Sequence, residues 1–188
     1  LSPAQRTIAD AMRGKVPIHV TLRGAVDIET TFHIADEFGL RRLVLLECTE
    51  GYKLAEDVGR RGVPVVLGPL YHRVGGWDVN WNNAGLLAEA GVKVALASND
   101  SAGPANLLTY ATMAARHGLP AQEALRSVTV NPAQILGLAD RVGTLAKGRD
   151  ADLLILSGEP LSVTTSIETV IMKGRVVFDA QSGANADG

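Results

Sequence analysis

What most constrains this chain is a recurring alternation: short apolar, β-branched runs, each followed by a stretch with helical spacing and then a glycine. Residues 16–22 form the first run and lead into 28–38, where Ile28, Phe32, Ala35 and Phe38 fall on one helical face before Gly39 ends it. Residues 43–47 lead into a helix over 51–60. A third run, 63–67, precedes a long polar segment and a helix over 84–90. The fourth, 92–97, ends at Asp100 and is followed by helices over 104–117 and 121–128. Four βα units in succession predict a parallel sheet covered by helices.

Near Ile135 the rhythm changes, and Gly143, Gly148, Gly158 and Gly174 separate short strands with no long helix between them. Residues 152–156 and 170–172 are expected to pair, and Lys173-Gly174 turns the chain into 175–178 as a hairpin. The chain thus divides into 1–134 with four βα units, an antiparallel β appendage over 135–180, and a small, polar tail over 181–188 expected to be disordered.

Composition narrows the function. With 188 residues, 46% of them hydrophobic, the chain can bury one sizeable core plus a small appendage. Its net charge of −2 comes from 18 basic and 20 acidic residues spread evenly, which leaves no electrostatic footprint for nucleic acid or an anionic membrane. No apolar run approaches the roughly 20 residues needed to cross a bilayer. The single cysteine, Cys48, excludes an intrachain disulfide framework, no signal peptide is visible, and a cytoplasmic location is expected.

Among residues able to do chemistry, Asp100 follows the fourth apolar run. Alternation places Val94, Leu96, Ser98 and Asp100 on one face at the strand's carboxyl end, where barrel enzymes keep catalytic groups; the simpler reading is an aspartate capping the next helix. Cys48 could ligate zinc as a thiolate, or serve as a small buried apolar residue. His19 shares a face with Thr21, about 6 to 7 Å deeper along the strand, and reads as a packing residue. His72 stands with Tyr71, Arg73, Trp77 and Trp81 in the long segment after the third run; this is a recognition surface, or else aromatic packing of the loop. His33 and His117 read as structural, Glu47 faces away from Cys48 towards some nearby base, and Asn131-Pro132 marks a turn from which the proline can start the next helix.

Several stretches resemble the amidohydrolase superfamily, in particular its imidazolonepropionase-like and prolidase-like members. They are Asp27-Ile28 to Phe38-Gly39; Glu50-Gly51-Tyr52-Lys53; Gly62 to Pro69; Ala95 to Asp100; Ala115-Arg116-His117-Gly118-Leu119; Thr129-Val130-Asn131-Pro132-Ala133; and Gly148-Arg149-Asp150-Ala151-Asp152-Leu153. The resemblance implies an α/β fold: the carboxy-terminal half of a (β/α)8 TIM-like barrel plus strands of a small β-sandwich appendage. It implies hydrolysis of C–N bonds in cyclic amides or acyl-amino compounds by water bound to one or two divalent ions. The family's ligands are a His-x-His pair on the first strand, often a lysine on the fourth, a histidine each on the fifth and sixth, and an aspartate on the eighth.

Carried over, that pattern makes Asp100 the metal ligand and proton acceptor. The fifth- and sixth-strand histidine positions fall on Thr21 and Cys48, while Arg23 and Gly24 depart from the histidine-containing pattern there. A rebuilt site would use Cys48 and Asp100 with zinc or another divalent metal, and His72, Trp77 and Trp81 would contact substrate. The other four strands would belong to an amino-terminal half-barrel supplied by the same gene product, by a partner chain, or through self-association of two copies. Two functions follow as expectations: a hydrolase active only in such an assembly, or an inactive relative, a pseudoenzyme, that binds a small molecule or a partner protein.

Overall fold

The structure is a computed structural model that describes residues 2–68, 80–98, 107–182 and 184–185. Helix α1 (Pro3–Met12) leads to strand β1 (Ile18–Leu22), and α2 (Ala25–Phe38) leads to β2 (Leu43–Glu47). A 3-10 turn (Gly51–Leu54) and α3 (Ala55–Arg61) precede β3 (Val65–Leu67); α4 (Asn83–Glu89) precedes β4 (Val94–Leu96). Three helices follow: α5 (Leu107–Arg116), α6 (Ala121–Arg126) and α7 (Val130–Ile135). Strands β1 to β4 form one parallel sheet in sequential order, as the four βα units predict.

Strand parity sorts the sheet into two faces. On the helix side Leu22, Leu43, Leu45, Val65, Leu67, Val94 and Leu96 are buried against Ile28 and Phe32 of α2, Val58 of α3, Leu87 of α4 and Tyr110 of α5. Full burial of each such side chain contributes about 1.5–3 kcal/mol, which makes this layer the main stabilising element. The opposite face carries a register row of Thr21, Leu46, Val66 and Ala95. Among the described residues, only part of that face is covered: Val44 and Ala95 pack with Ile135 of α7, and Leu46 and Val66 lean on them.

One helix, α1, escapes the sequence reading. Ser2, Pro3 and Gln5 build a capping box that starts α1, with Gln5 N–H donating to the Ser2 hydroxyl and Ser2 N–H to the Gln5 side chain. Helix α7 forms across Asn131-Pro132, expected as a turn whose proline can start the next helix; Pro132 lies in its first turn, where a missing N–H costs nothing, and Asn131 before it is already helical. Phe38 departs from the expected α2 core face and is 56% exposed, while Ile28, Phe32 and Ala35 are buried as expected.

Strands β5 (Leu153–Leu156), β6 (Ile167–Met172), β7 (Arg175–Asp179) and β8 (Ala184–Asn185) make a second, antiparallel sheet. The hairpin turn lies at Lys173-Gly174, both at positive φ (50° and 75°), as a type I′ turn requires. Ala184 and Asn185, in the tail expected to be disordered, pair with β7.

The close approach of α3 and α4 depends on Gly59, where a Cβ would stand 2.0 Å from the Ala90 carbonyl oxygen. That atom is backbone and cannot swing aside. Gly59→Ala should therefore destabilise the protein by about 1–3 kcal/mol despite alanine's better helix propensity, read as a lower urea midpoint.

Candidate functional site

Because β1 to β4 are parallel, their carboxyl ends gather on one rim, and the turns leaving them carry the chemistry-bearing residues. At the end of β1 stand Thr21 and Arg23; at the end of β2 stand Glu47 and Cys48. Thr21 is exposed on the partly covered face, and His19 shares that face and that exposure.

Simple alternation would put Cys48 beside Thr21. It does not go there. Glu47 and Cys48 both adopt positive φ (68° and 44°), so the chain twists as it leaves β2 and carries the thiol to the opposite layer. Cys48 is fully buried in the helix-side core, its Sγ 2.8 Å from where a Cβ on Gly51 would sit, so the residue there must be glycine. Its carbonyl and that of Thr49 accept hydrogen bonds from the buried Asn83 side chain of α4 (3.0 and 3.1 Å). Burial pushes the thiol pKa up to about 12. The cysteine is thus a protonated core residue on a different layer from Thr21, not a partner for it.

The same twist presents Glu47 to Arg23. Their Oε2 and Nη2 atoms lie 2.6 Å apart, with the carboxylate side chain only 14% exposed. Glu47 had been expected to face some nearby base, and Arg23 is that base. Behind this pair Glu50 ties the β2 exit to α2. It accepts from the Ala25 N–H (3.0 Å) and pairs with Lys53, and these contacts, Lys53 foremost, hold its carboxyl below the usual 4.5. Arg23 C=O and Leu22 C=O accept from Glu50 N–H (2.9 Å) and Cys48 N–H (2.8 Å), locking the two strand exits together.

Among the described residues no three His, Cys, Asp or Glu side chains converge on a point where a metal ion could sit. Those present do not fit a divalent cation either: Thr21 offers a neutral hydroxyl, the Cys48 thiol is protonated and faces the helices, and the rim carboxylate is already neutralised by a guanidinium. Asp100, His72 and Trp77 lie outside the described residues. Trp81 is described and stacks on His117 at the end of α5, ring centroids 5.2 Å apart, an aromatic contact that packs the approach to α4 against α5. The ion pair and the Glu50 clamp were not assigned roles in the sequence. The signal that could have found them is a charged residue directly after each of two successive apolar strands.

An α/β protein with a parallel sheet and a polar rim at its strand ends is the class that fold and site define. Residues 20–178 match the Amidohydrolase family, and the chain belongs to it. An amidohydrolase of known structure from Thermotoga maritima superposes with a TM-score of 0.82 at 35% identity, covering 91% of this chain and 45% of that one. The imidazolonepropionase of Thermoplasma volcanium is 30% identical over 66% of this chain and 32% of its own length. The N-substituted formamide deformylase of Arthrobacter pascens is 35% identical over 42% of this chain and 17% of its own. The chain thus spans less than half the length of each of these relatives.

Two predictions follow from the β2 exit. Cys48 should be inert to a thiol reagent in the native protein at pH 8 and should react once per chain in denaturant; stoichiometric native labelling would refute its burial. Glu50→Ala should cost about 0.5–1 kcal/mol at pH 7. Because folding lowers the Glu50 pKa, its stabilisation is present above the ordinary value of 4.5 and fades as pH falls through the folded value. The gap between wild type and Glu50→Ala in urea melts should therefore narrow below about pH 4.5.

Proposed function

We propose that this chain is the carboxy-terminal half of an amidohydrolase-family hydrolase that cleaves C–N bonds in cyclic amides or acyl-amino compounds once joined to an amino-terminal half-barrel. The observation that carries this reading is the match of 91% of the chain to 45% of the Thermotoga maritima amidohydrolase at 35% identity. An N-substituted formamide, named in one relative, is itself an acyl-amino compound, which supports that substrate class.

In such a reaction water adds to the acyl carbon, the C–N bond breaks, and the nitrogen leaves as an amine. Asp100 is assigned the proton transfers: it takes the proton from the attacking water and returns it to the departing nitrogen. His72, Trp77 and Trp81 are assigned contacts with the substrate's acyl or ring portion. The remaining polar groups belong to the amino-terminal half.

A second reading, a relative without catalytic activity that retains a binding or scaffolding role, is favoured by one specific observation. Among the described residues, the strand ends of β1 and β2 carry the Arg23–Glu47 ion pair and Thr21, and Cys48 is turned away from them.

One experiment separates the two. The chain is joined to the amino-terminal half of the Thermotoga maritima amidohydrolase, divalent metal per assembly is measured by elemental analysis, and formate release from an N-substituted formamide and opening of a cyclic amide are followed. Turnover that falls by about 10²-fold or more in Asp100→Asn supports the hydrolase. A folded assembly with neither metal nor turnover supports the inactive relative.

A further inference from the structure

We infer that the Arg23–Glu47 pair reads the edge of a cyclic amide, Arg23 donating to the acyl oxygen and Glu47 accepting from the N–H beside it. The inference rests on the hydrolase reading above. Within that reading's substrate class it selects cyclic amides with a free N–H over open-chain acyl-amino compounds.

The pair is fixed in place by the fold around it. Arg23 follows β1 and Glu47 ends β2, so both stand on the rim at the carboxyl ends of the parallel strands. Glu50 N–H donates to Arg23 C=O (2.9 Å) and Cys48 N–H to Leu22 C=O (2.8 Å), which ties the two exits together. Glu47 meets Arg23 from an exit in which it and Cys48 hold positive φ, 68° and 44°, a conformation costly for residues other than glycine and concentrated at functional sites. The buried Asn83 side chain pins that exit through the Cys48 and Thr49 carbonyls (3.0 and 3.1 Å). A salt bridge between two mobile surface chains has no such support.

The pair presents a donor and an acceptor side by side. Nη2 of Arg23 and Oε2 of Glu47 lie 2.6 Å apart, and the side chains are 36% and 14% exposed, so the pair is open on the guanidinium side. Among the described residues the guanidinium meets only Glu47, and its Nε is buried with no acceptor, so most of its N–H groups are uncommitted. The O and N of an amide are themselves roughly 2.3 Å apart. In an open chain the bond is trans, so C=O and N–H point to opposite sides and one donor–acceptor pair cannot take both. Ring closure forces the bond cis, and C=O and N–H then share an edge that matches Nη2 and Oε2.

The same contact supplies the charge that hydrolysis needs. As water adds, the acyl oxygen gains negative charge, and a guanidinium that keeps its proton stabilises that oxygen through its N–H groups. No proton moves to or from Arg23, and the transfers assigned to Asp100 are unchanged. Thr21 offers a neutral hydroxyl and Cys48 lies in the helix-side core, so at these strand ends Arg23 does for the carbonyl what a bound cation would otherwise do.

The test is an NMR titration of the full chain, with and without a chelator. The probes are γ-butyrolactam, its N-methyl form, which lacks the N–H, and N-methylacetamide, an open-chain trans amide. Saturable binding of γ-butyrolactam in the millimolar range is expected, at least ~10-fold weaker for the other two probes and unchanged by the chelator. Arg23→Met combined with Glu47→Met removes both charges together and should abolish that binding with circular dichroism unchanged. Three results would overturn the inference: no saturable binding, equal affinity for the N-methyl lactam, or binding lost with the chelator. Should the double variant fail to fold, discrimination among the probes by the wild-type chain decides alone. Ring opening is followed separately in the joined assembly: lactam bound but never opened sinks the hydrolase reading and leaves this one, whereas opening that Arg23→Gln leaves intact sinks this one and not the hydrolase.

Discussion

Everything in the parallel part of the molecule depends on burying one face of four short strands beneath helices. Val20, Leu45, Val65 and Val94 lie in register across the sheet, Leu22, Leu67 and Leu96 lie one step further along, and all face the layer where Ile28, Phe32, Val58 and Leu87 converge. A one-residue slip in any strand would turn its leucines towards the uncovered face, so the register is strongly specified. With the register fixed, the strand ends line up, and Arg23 and Glu47 are brought to 2.6 Å across neighbouring exits. The rim is thus a consequence of core packing.

How much of this could be read beforehand follows from the range over which each signal acts. The four βα units were legible because hydrophobic period and glycine stops are local and repeated; Gly39 and Gly62 both sit at φ 64° at helix ends, as a stop signal demands. Helix α1 was legible in principle, through Ser2 and Gln5, but its exposed apolar residues give no packed face to recognise. Cys48 is the small buried residue that one of its two sequence readings gave, but the layer it joins has a different origin. Parity arguments assume extended backbone, and two successive residues at positive φ break that assumption just where the strand meets the rim. The nearby signal was Gly51, whose missing side chain makes room for the sulfur.

Asn131 shows the same limit from the other side. A turn role for Asn131-Pro132 follows from proline chemistry alone, but the amide's real partner is Val94 C=O, 37 positions away and on another element. Local sequence cannot reveal that partner. Leaving that carbonyl buried without a donor would cost about 1–3 kcal/mol, which explains why a polar side chain is kept at 2% exposure.

These two long-range features bear on one another. At the β2 exit, a carboxylate near the protein interior is compensated by Arg23 from within the same chain, so Glu47 needs no cation for the fold to be stable. At the β4 edge, backbone groups are likewise satisfied from within, by Asn131 and Ser127. Among the described residues, β1 pairs with β2 alone, so the two edges of the sheet differ. Charge at the β1 and β2 exits and backbone pairing at the β4 edge are thus met separately, each by a partner from a distant part of the same chain.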